Sequence, residues 1–237
     1  MEKTNGGNLI QIKNLVATVN LNNGDTLVTV NKANMELKRG NSYAIVGKSG
    51  SGKTSLISII GLLNHSYQGE FLYNGMSVST LTDSQLSMLR ASNIGFVFQN
   101  FNLLPKLSAQ LNVALPLVYA GVGEEERLER AKTALEAVGL GDRIDHNPTE
   151  MSGGQRQRVA IARALINDPA IIMADEPTGN LDTKSSYEIM DIFKKMNDDG
   201  KTVVMVTHEP DIAEQTKRIL TMRDGKLVSD EWRADHV

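Results

Sequence analysis

Four continuous runs of apolar residues constrain the fold of this chain more than any other feature. The runs are residues 43–46, 95–98, 170–174 and 203–206. They do not alternate with polar residues, and segments with a helical pattern lie between them. Strands buried on both faces have this pattern, and they occur in parallel sheets that helices cover. The chain is therefore predicted to be an α/β protein with a mostly parallel sheet.

Residues that can bind a ligand or take part in catalysis follow each of the four runs. A glycine-rich loop at 47–54 follows the first run, and Gln99 follows the second. Asp175 and Glu176 follow the third, and Thr207 and His208 follow the fourth. Ligands bind at the carboxyl ends of strands in open parallel sheets, so we expect one site to collect all four groups.

The loop at 47–54 reads Gly-Lys-Ser-Gly-Ser-Gly-Lys-Thr and precedes a helical pattern at 54–63. Its glycines let backbone amides turn towards phosphate oxygens, Lys53 can reach the β and γ phosphates, and the Thr54 hydroxyl can bind Mg²⁺. The helix start behind the loop favours anions. The pattern predicts a phosphate loop, which by itself does not separate a kinase from a hydrolase.

The acidic pair that follows the third run has a predicted role beside this loop. Asp175 is placed where its carboxylate can hold Mg²⁺, and Glu176 is a candidate general base for an attacking water. Two acids after a strand can also form an ordinary helix entry. The phosphate loop upstream favours the catalytic interpretation.

Ser152-Gly153-Gly154-Gln155 has the spacing of a capping box and is followed by a helical pattern at 156–165. A cap alone needs no ligand. The two glycines are not needed for capping, and they expose backbone amides at the positive end of the helix. The segment is therefore a second candidate anion site.

The remaining segments predict two hairpins and a helical insertion. Residues 10–37 read as short antiparallel strands around a turn at 22–25, and residues 219–228 as a hairpin around 224–225. No comparable strand is evident between 100 and 151, and residues 124–138 look helical. We expect one domain, residues 1–237, with a helical subdomain at about 100–160 inserted in the core.

Composition excludes several classes of function. The formal charge is −3 and the sequence pI is about 5.8, so no bulk positive field favours nucleic acid or an anionic membrane surface. The chain has no cysteine, which excludes disulfides, thiolate zinc sites and thiol catalysis. No run approaches ~18–20 apolar residues, and residues 1–7 are polar, so neither a membrane span nor an N-terminal signal is expected. A cytoplasmic location follows, with any membrane contact made through a protein partner.

These motifs, in this order, resemble the ATP-binding cassette (ABC) family over nearly the whole chain. Residues 151–155 match its signature, with methionine where leucine is usual, and residues 180–182 match its D-loop. Gln99 matches the Q-loop glutamine, which touches Mg²⁺, and His208 matches the switch histidine, which contacts the γ-phosphate. The resemblance implies a phosphate-loop NTPase (RecA-like) core with an antiparallel β subdomain and an inserted α-helical subdomain.

The resemblance also implies an ATPase that uses ATP and Mg²⁺ and pairs head to tail with a second copy, driving a separately encoded membrane permease. Ser152 and Gly154 of one copy would meet the γ-phosphate held by Lys53 of the other. The implied catalytic residues are Glu176, His208 and Lys53. The implied metal ligands are Thr54, Gln99 and Asp175. The implied ATP-binding residues are Gly47, Lys48, Ser49, Gly50, Ser51, Gly52, Lys53, Thr54, Gln99, Ser152, Gly153, Gly154, Gln155 and Asp182.

Finer similarity lies in residues 96–105, 112–117 and 174–182, which resemble cassettes for lipoprotein release, macrolide export and antimicrobial-peptide resistance. This implies export, extraction or mechanotransmission from the cytoplasmic face of the membrane. The cell-division cassette shares the same strings, so a regulatory cassette is an alternative. A soluble cassette for DNA repair, chromosome structure or translation is another, although no coiled coil, zinc module or tandem cassette is present. A nucleotide kinase would leave residues 152–155 and His208 without a purpose.

Two positions depart from the family pattern. Relatives usually have an aromatic residue near Val19 that stacks on adenine, whereas Thr18-Val19-Asn20 offers none and Tyr43 lies in a predicted core strand. A weaker preference among nucleotides is therefore expected. Leu111 stands where relatives often carry an acid, in the lobe expected to face the permease.

Overall fold

The computed structural model describes residues 7–20 and 24–233. The strands are β1 Asn8–Asn20, β2 Thr26–Lys38, β3 Ser42–Val46, β4 Tyr67–Tyr73, β5 Met76–Ser77, β6 Ile94–Phe98, β7 Ile171–Asp175, β8 Thr202–Thr207, β9 Arg218–Arg223 and β10 Lys226–Trp232. The α-helices are α1 Lys53–Ile60, α2 Asp83–Asn93, α3 Ala109–Tyr119, α4 Glu124–Ala137, α5 Gly153–Leu165, α6 Thr183–Asp198 and α7 Pro210–Ala213.

The larger sheet has six strands in the order β10-β9-β3-β8-β7-β6. Strands β9, β3, β8, β7 and β6 are parallel, and β10 pairs antiparallel at the edge. Alternate residues of β7 enter different cores: Ile171 and Met173 pack on one side, and Ile172 and Ala174 on the other. Both faces are therefore buried, which is why these strands are continuously apolar. The predicted parallel sheet is confirmed.

The smaller sheet is antiparallel, with the order β2-β1-β4-β5, and it packs with α1 over one face of the larger sheet. The two N-terminal strands are each 13 residues long, where the apolar pattern predicted short strands. Register shifts along their pairing let them continue as one twisted ribbon. Residues 22 and 23 of the predicted turn lie outside the described residues. The predicted C-terminal hairpin forms at Asp224 and Gly225, between β9 and β10.

Helices α3, α4 and α5 cover the other face and join β6 to β7. Within the described residues no strand forms between β6 and β7, as predicted. Helix α4 matches its predicted span, and its Glu126–Arg130 pair lies on the solvated face. Helix α1 ends at Ile60, earlier than predicted, because Leu62 adopts the left-handed conformation with φ 59°, which cannot continue the helix. The assignment of residues 1–237 to one domain stays a prediction.

Candidate functional site

The carboxyl ends of the central strands meet at one edge of the larger sheet. Val46 is paired with Thr207, and Asp175 is paired with both Phe98 and Val206. The residues that immediately follow these strands therefore start from neighbouring positions. A cavity of about 530 Å³ opens here, lined by the phosphate loop, Glu176, His208, and Leu27 and Thr29 of β2.

The phosphate loop has a backbone that only glycine fits at two positions. Gly52 has φ 97°, and a Cβ there would lie 2.0 Å from the Thr29 carbonyl oxygen. Gly47 packs against β9, where a Cβ would lie 2.3 Å from the Met222 carbonyl oxygen. The loop is thus fitted between the two sheets, with α1 starting directly behind it.

Lys53 and Ser51 are the buried polar side chains of this loop. The Lys53 Nζ donates to the carbonyl oxygens of Gly47 and Lys48, at 2.7 and 3.0 Å, which holds the ammonium group over the loop. The Ser51 hydroxyl is buried and has no hydrogen-bond partner among the described residues. A buried cation and an unpaired hydroxyl in one glycine-rich loop suit an anionic ligand.

Asp175 and Glu176 occupy different environments although they are adjacent. Burial and the charge of Glu176 raise the pKa of Asp175, and the nearby Lys53 opposes that rise. Glu176 has φ 46°, and its backbone N–H donates to the Val206 carbonyl oxygen at 2.9 Å. Its Oε2 lies 3.0 Å from Nδ1 of His208. This distance is within ion-pair range.

Gln99 lies beside the same acids, as predicted from its strand end. An added Cβ at Gly179 would come within 2.7 Å of the Gln99 amide nitrogen and 3.4 Å of the Glu176 Oε2. These two side chains therefore border one glycine. The structure brings Lys53, Thr54, Glu176 and His208 together around the cavity. Asp175 and Gln99 do not line it, but Asp175 is close enough to Lys53 for their charges to interact.

The predicted second anion site lies elsewhere. Ser152 caps α5 in the predicted box: its Oγ accepts from the Gln155 N–H, and its own N–H donates to the Gln155 side chain. None of residues 152–155 lines the Lys53 cavity. Gly153 and Gly154 face Leu181 and Ser185 instead. Asp182 also lies outside the cavity, and its carboxylate caps α6 by accepting from the Ser185 N–H.

A polar contact that no sequence motif predicts joins two of these segments. The buried Thr178 hydroxyl donates to the Glu209 carboxylate at 2.7 Å, and the Glu209 N–H donates to Thr207 Oγ1 at 3.0 Å. Glu209 follows His208, so this bond ties the turn after Glu176 to the turn that carries the histidine. Thr178 and Glu209 lie close in sequence to Glu176 and His208, which marks them as neighbours of the site. No spacing rule predicts that they pair with each other.

The residues present fit a nucleoside triphosphate with Mg²⁺. Thr54, Gln99 and Asp175 offer the hard oxygen ligands that Mg²⁺ prefers. No group of three or more His, Cys, Asp or Glu side chains in the described ranges could hold a metal on its own. A site with few carboxylates is typical of Mg²⁺ that is shared with substrate phosphates. Fold and site together define a nucleoside triphosphatase of the phosphate-loop class.

Comparison with known proteins identifies the family. The family model for ABC transporters matches residues 30–179. The chain is 47% identical over 220 residues to an uncharacterized ABC transporter ATP-binding protein, YknY of Bacillus subtilis, covering 93% of this chain and 95% of that protein. The chain therefore belongs to the ABC transporter family, as its ATP-binding and ATP-hydrolysing subunit.

Further relatives support the finer resemblance. A macrolide export ATP-binding/permease protein, MacB of Bdellovibrio bacteriovorus, is 50% identical over 209 residues, which are 88% of this chain and 32% of that protein. This chain thus spans about a third of the MacB relative. A solved dimeric cassette, MJ0796 in a post-hydrolysis state with ADP and Pi, superposes with a TM-score of 0.86 at 41% identity, covering 94% of this chain and 98% of that one. In the described residues, no helix is long and apolar enough to cross a membrane.

Proposed function

We propose that two copies of this chain close head to tail around two ATP molecules and thereby drive a separate permease in the membrane. The observation that carries this proposal is the position of residues 152–155. Gly153 and Gly154 begin α5, where backbone N–H groups have no partner within the helix, yet this helix start lies outside the cavity that holds Lys53. A second copy can bring the two together. A related cassette is described as dimeric with ADP and Pi bound, which supports this arrangement.

Within one copy, the phosphate loop would hold the nucleotide. Lys53 would exchange its two carbonyl partners for the β and γ phosphates, and the backbone amides of residues 47–54 would surround them. Thr54, Gln99 and Asp175 would bind Mg²⁺, which neutralises phosphate charge when bound. Asp175 must lose its proton to serve as a ligand, and the neighbouring Lys53 favours that loss.

Hydrolysis would be carried by Glu176 with help from His208. The Glu176 carboxylate would accept a proton from the attacking water, and the His208 ring, whose Nδ1 lies 3.0 Å from Glu176 Oε2, would hold its orientation. His208 is largely exposed towards the cavity, where it can contact the γ-phosphate. Ser152, Gly154 and Asp182 of the opposite copy would complete the site. Opening would follow once the γ-phosphate that joins the copies is gone.

An apolar groove on the helical side offers the permease a docking surface. It encloses about 420 Å³ between β6, where Phe96 and Phe98 line it, and α3, where Leu115 and Tyr119 line it. No acidic residue in the described part of the chain lines the groove, and two arginines, Arg90 and Arg163, do. Tyr119 is 85% exposed, the most exposed large apolar side chain of the described residues. Leu111, which replaces the expected acid, is also exposed on α3. An apolar cytoplasmic segment of the permease would fill this groove.

We also propose that the chain acts as one nucleotide-binding domain at the cytoplasmic face, held there by its permease, in export, extraction or mechanotransmission. The similarity to MacB supports this type of permease, since that relative joins an ATP-binding and a permease part in one protein. No nucleic acid is expected as a partner, because the net charge of −3 provides no attractive field.

Capture from native membranes tests the proposal. Tagged protein with Glu176→Gln, in Mg-ATP, should retain one membrane protein with few spans and a large external domain. The type of external domain would indicate whether the permease acts on lipoproteins, drugs, peptides or the cell wall. Recovery of soluble partners alone would overturn the membrane role and leave the ATPase assignment intact.

A matched pair of variants tests the docking surface in the same experiment. Tyr119→Glu places a charge in the groove and should release the permease while ATP binding is kept. Tyr187→Glu places the same charge on an exposed tyrosine of α6, outside the groove, and should retain the permease. Equal retention of the permease by both variants would exclude the groove as its docking surface.

A further inference from the structure

The backbone immediately after Gln99 is strained. Phe101 has φ 61° and Asn102 has φ 49°, so two consecutive residues with side chains adopt the left-handed conformation. Asparagine tolerates that region, but phenylalanine rarely enters it. A loop of this kind persists only when its surroundings hold it.

Arg163 of α5 supplies part of that hold. Its guanidinium donates to the Phe101 carbonyl oxygen at 2.8 Å and to the Asn102 carbonyl oxygen at 2.6 Å. No carboxylate of the described residues forms an ion pair with it. Burial lowers the pKa of this guanidinium, so its charge is partly desolvated and is satisfied by these two carbonyl groups. A half-buried cation placed on both carbonyls of a strained pair holds that pair.

Arg156 holds the same loop through its side chain. Its guanidinium lies 4.9 Å from the centre of the Phe101 ring, a cation–π distance, and the ring is almost fully buried. Arg156 and Arg163 are two turns apart, so they share one face of α5. Arg156 also directly follows Gln155, the last residue of the predicted second anion site.

Asn180 fixes the other side of the loop. Its side-chain amide donates to the Gln99 carbonyl oxygen at 3.1 Å and to Asn100 Oδ1 at 3.0 Å. The Gln99 segment is therefore tied both to α5 and to the segment between Glu176 and α6. Each tie comes from an element that carries residues of the proposed dimer site.

We propose that Arg163 and Arg156 are positioning residues that set the Gln99 side chain through the strained Phe101–Asn102 pair. The inference rests on the proposed binding of Mg²⁺ by Gln99. It follows that a movement of α5, whose first turn would meet the nucleotide of the opposite copy, displaces Gln99 in its own site. The two arginines thus connect the two nucleotide sites of the dimer.

Hydrogen exchange without nucleotide tests the hold directly. Arg163→Met should speed exchange of the peptide that covers residues 99–104 by roughly tenfold, the change that about 1.4 kcal/mol produces. Arg130→Met is the matched control, because Arg130 also donates to a carbonyl oxygen, that of Ile166, but away from Gln99. It should leave this peptide unchanged. Unchanged exchange in Arg163→Met would overturn the inference.

Calorimetric titration of Mg²⁺ into ATP-loaded protein, in the Glu176→Gln background, tests the effect on Gln99. Arg163→Met and Gln99→Ala should each weaken Mg²⁺ binding by about the same factor, and the double variant should weaken it no further. Additive losses would mean that Arg163 acts by another route, which overturns the inference. Normal Mg²⁺ binding in Gln99→Ala would instead refute the proposed role of Gln99, and the inference with it.

Two more variants separate positioning from folding. Asn102→Gly removes the strain at one of the two residues, so Arg163→Met with Asn102→Gly should recover part of the lost Mg²⁺ affinity. A purely structural role of Arg163 predicts no recovery. If Arg163→Met does not fold, Arg163→Lys keeps the charge but cannot span both carbonyls as a fork, and it should show the same losses in weaker form.

Discussion

An aromatic side chain introduced at Val19 is expected to tighten nucleotide binding. Val19 is paired directly with Leu27 across β1 and β2, so the two side chains lie on one face of the smaller sheet. Leu27 lines the cavity, and the two side chains are 46% and 52% exposed. A nucleotide base that extends from the phosphate loop towards β2 would meet an aliphatic surface. A tyrosine at position 19 would supply a stacking face there.

The size of the gain follows from the energy of stacking. A base stacked on an aromatic ring contributes ~1–3 kcal/mol, which is about five-fold to about 150-fold in affinity. Every base has a stacking face, so Val19→Tyr should tighten ATP and GTP together. The parent protein should bind the two nucleotides with similar affinity, because an aliphatic surface reads no base edge.

Val28→Tyr is the control, since Val28 is equally exposed but pairs with Thr18 on the opposite face of the ribbon. Calorimetric dissociation constants for ATP and GTP, in the hydrolysis-deficient Glu176→Gln background, measure both variants against the parent. An unchanged affinity in Val19→Tyr, or an equal gain in Val28→Tyr, would refute this location for the base. Strong ATP selectivity in the parent would refute the aliphatic base surface.

Three further outcomes follow from the site. Glu176→Gln should slow ATP hydrolysis by about 10²–10⁴-fold with ATP binding kept, and a parental rate in a phosphate-release assay would exclude Glu176 as the base. Mg²⁺ binding to ATP-loaded protein should weaken as the pH falls through the raised pKa of Asp175, so the loss of affinity begins above the ordinary value of 3.8. Asp175→Asn should remove this pH dependence. Calorimetry that finds the pH dependence unchanged in the variant would contradict the role of Asp175 as a ligand. In Gly50→Ala the added Cβ meets no other atom, but the φ of 76° is strained, so the free energy of unfolding should fall by about 1–2 kcal/mol. In Gly52→Ala the Cβ also collides with the Thr29 carbonyl oxygen, which should cost about 1–3 kcal/mol more. Equal losses for the two variants in denaturant unfolding would contradict the loop geometry.

Burial on both faces explains why the sequence predicted the larger sheet so well. Strands such as β7 and β8 have no polar face, and their ends carry the residues that meet at the cavity. The helix cap at Ser152 could also be predicted, because its partner Gln155 is only three residues away in the sequence. Such features depend on neighbours along the chain, which the sequence displays.

Other features depend on contacts between distant segments, and no local pattern predicts them. Arg163 meets carbonyl groups about sixty residues upstream, and its position in α5 suggests only a solvated helix face. The Thr178–Glu209 bond likewise joins two turns that the packing of β7 against β8 brings together. The length of the first two strands was missed because a register shift interrupts the alternation that marks a long strand.

Cysteine cross-linking tests the head-to-tail dimer most directly, because the chain contains no cysteine of its own. One preparation would carry Ser49→Cys in the phosphate loop and another Ser152→Cys, both with Glu176→Gln. Mixed under mild oxidation, they should form a disulfide-linked dimer with Mg-ATP, and neither preparation should do so alone. A cross-link that forms equally well without Mg-ATP, or no cross-link while ATP is bound, would contradict the proposed dimer.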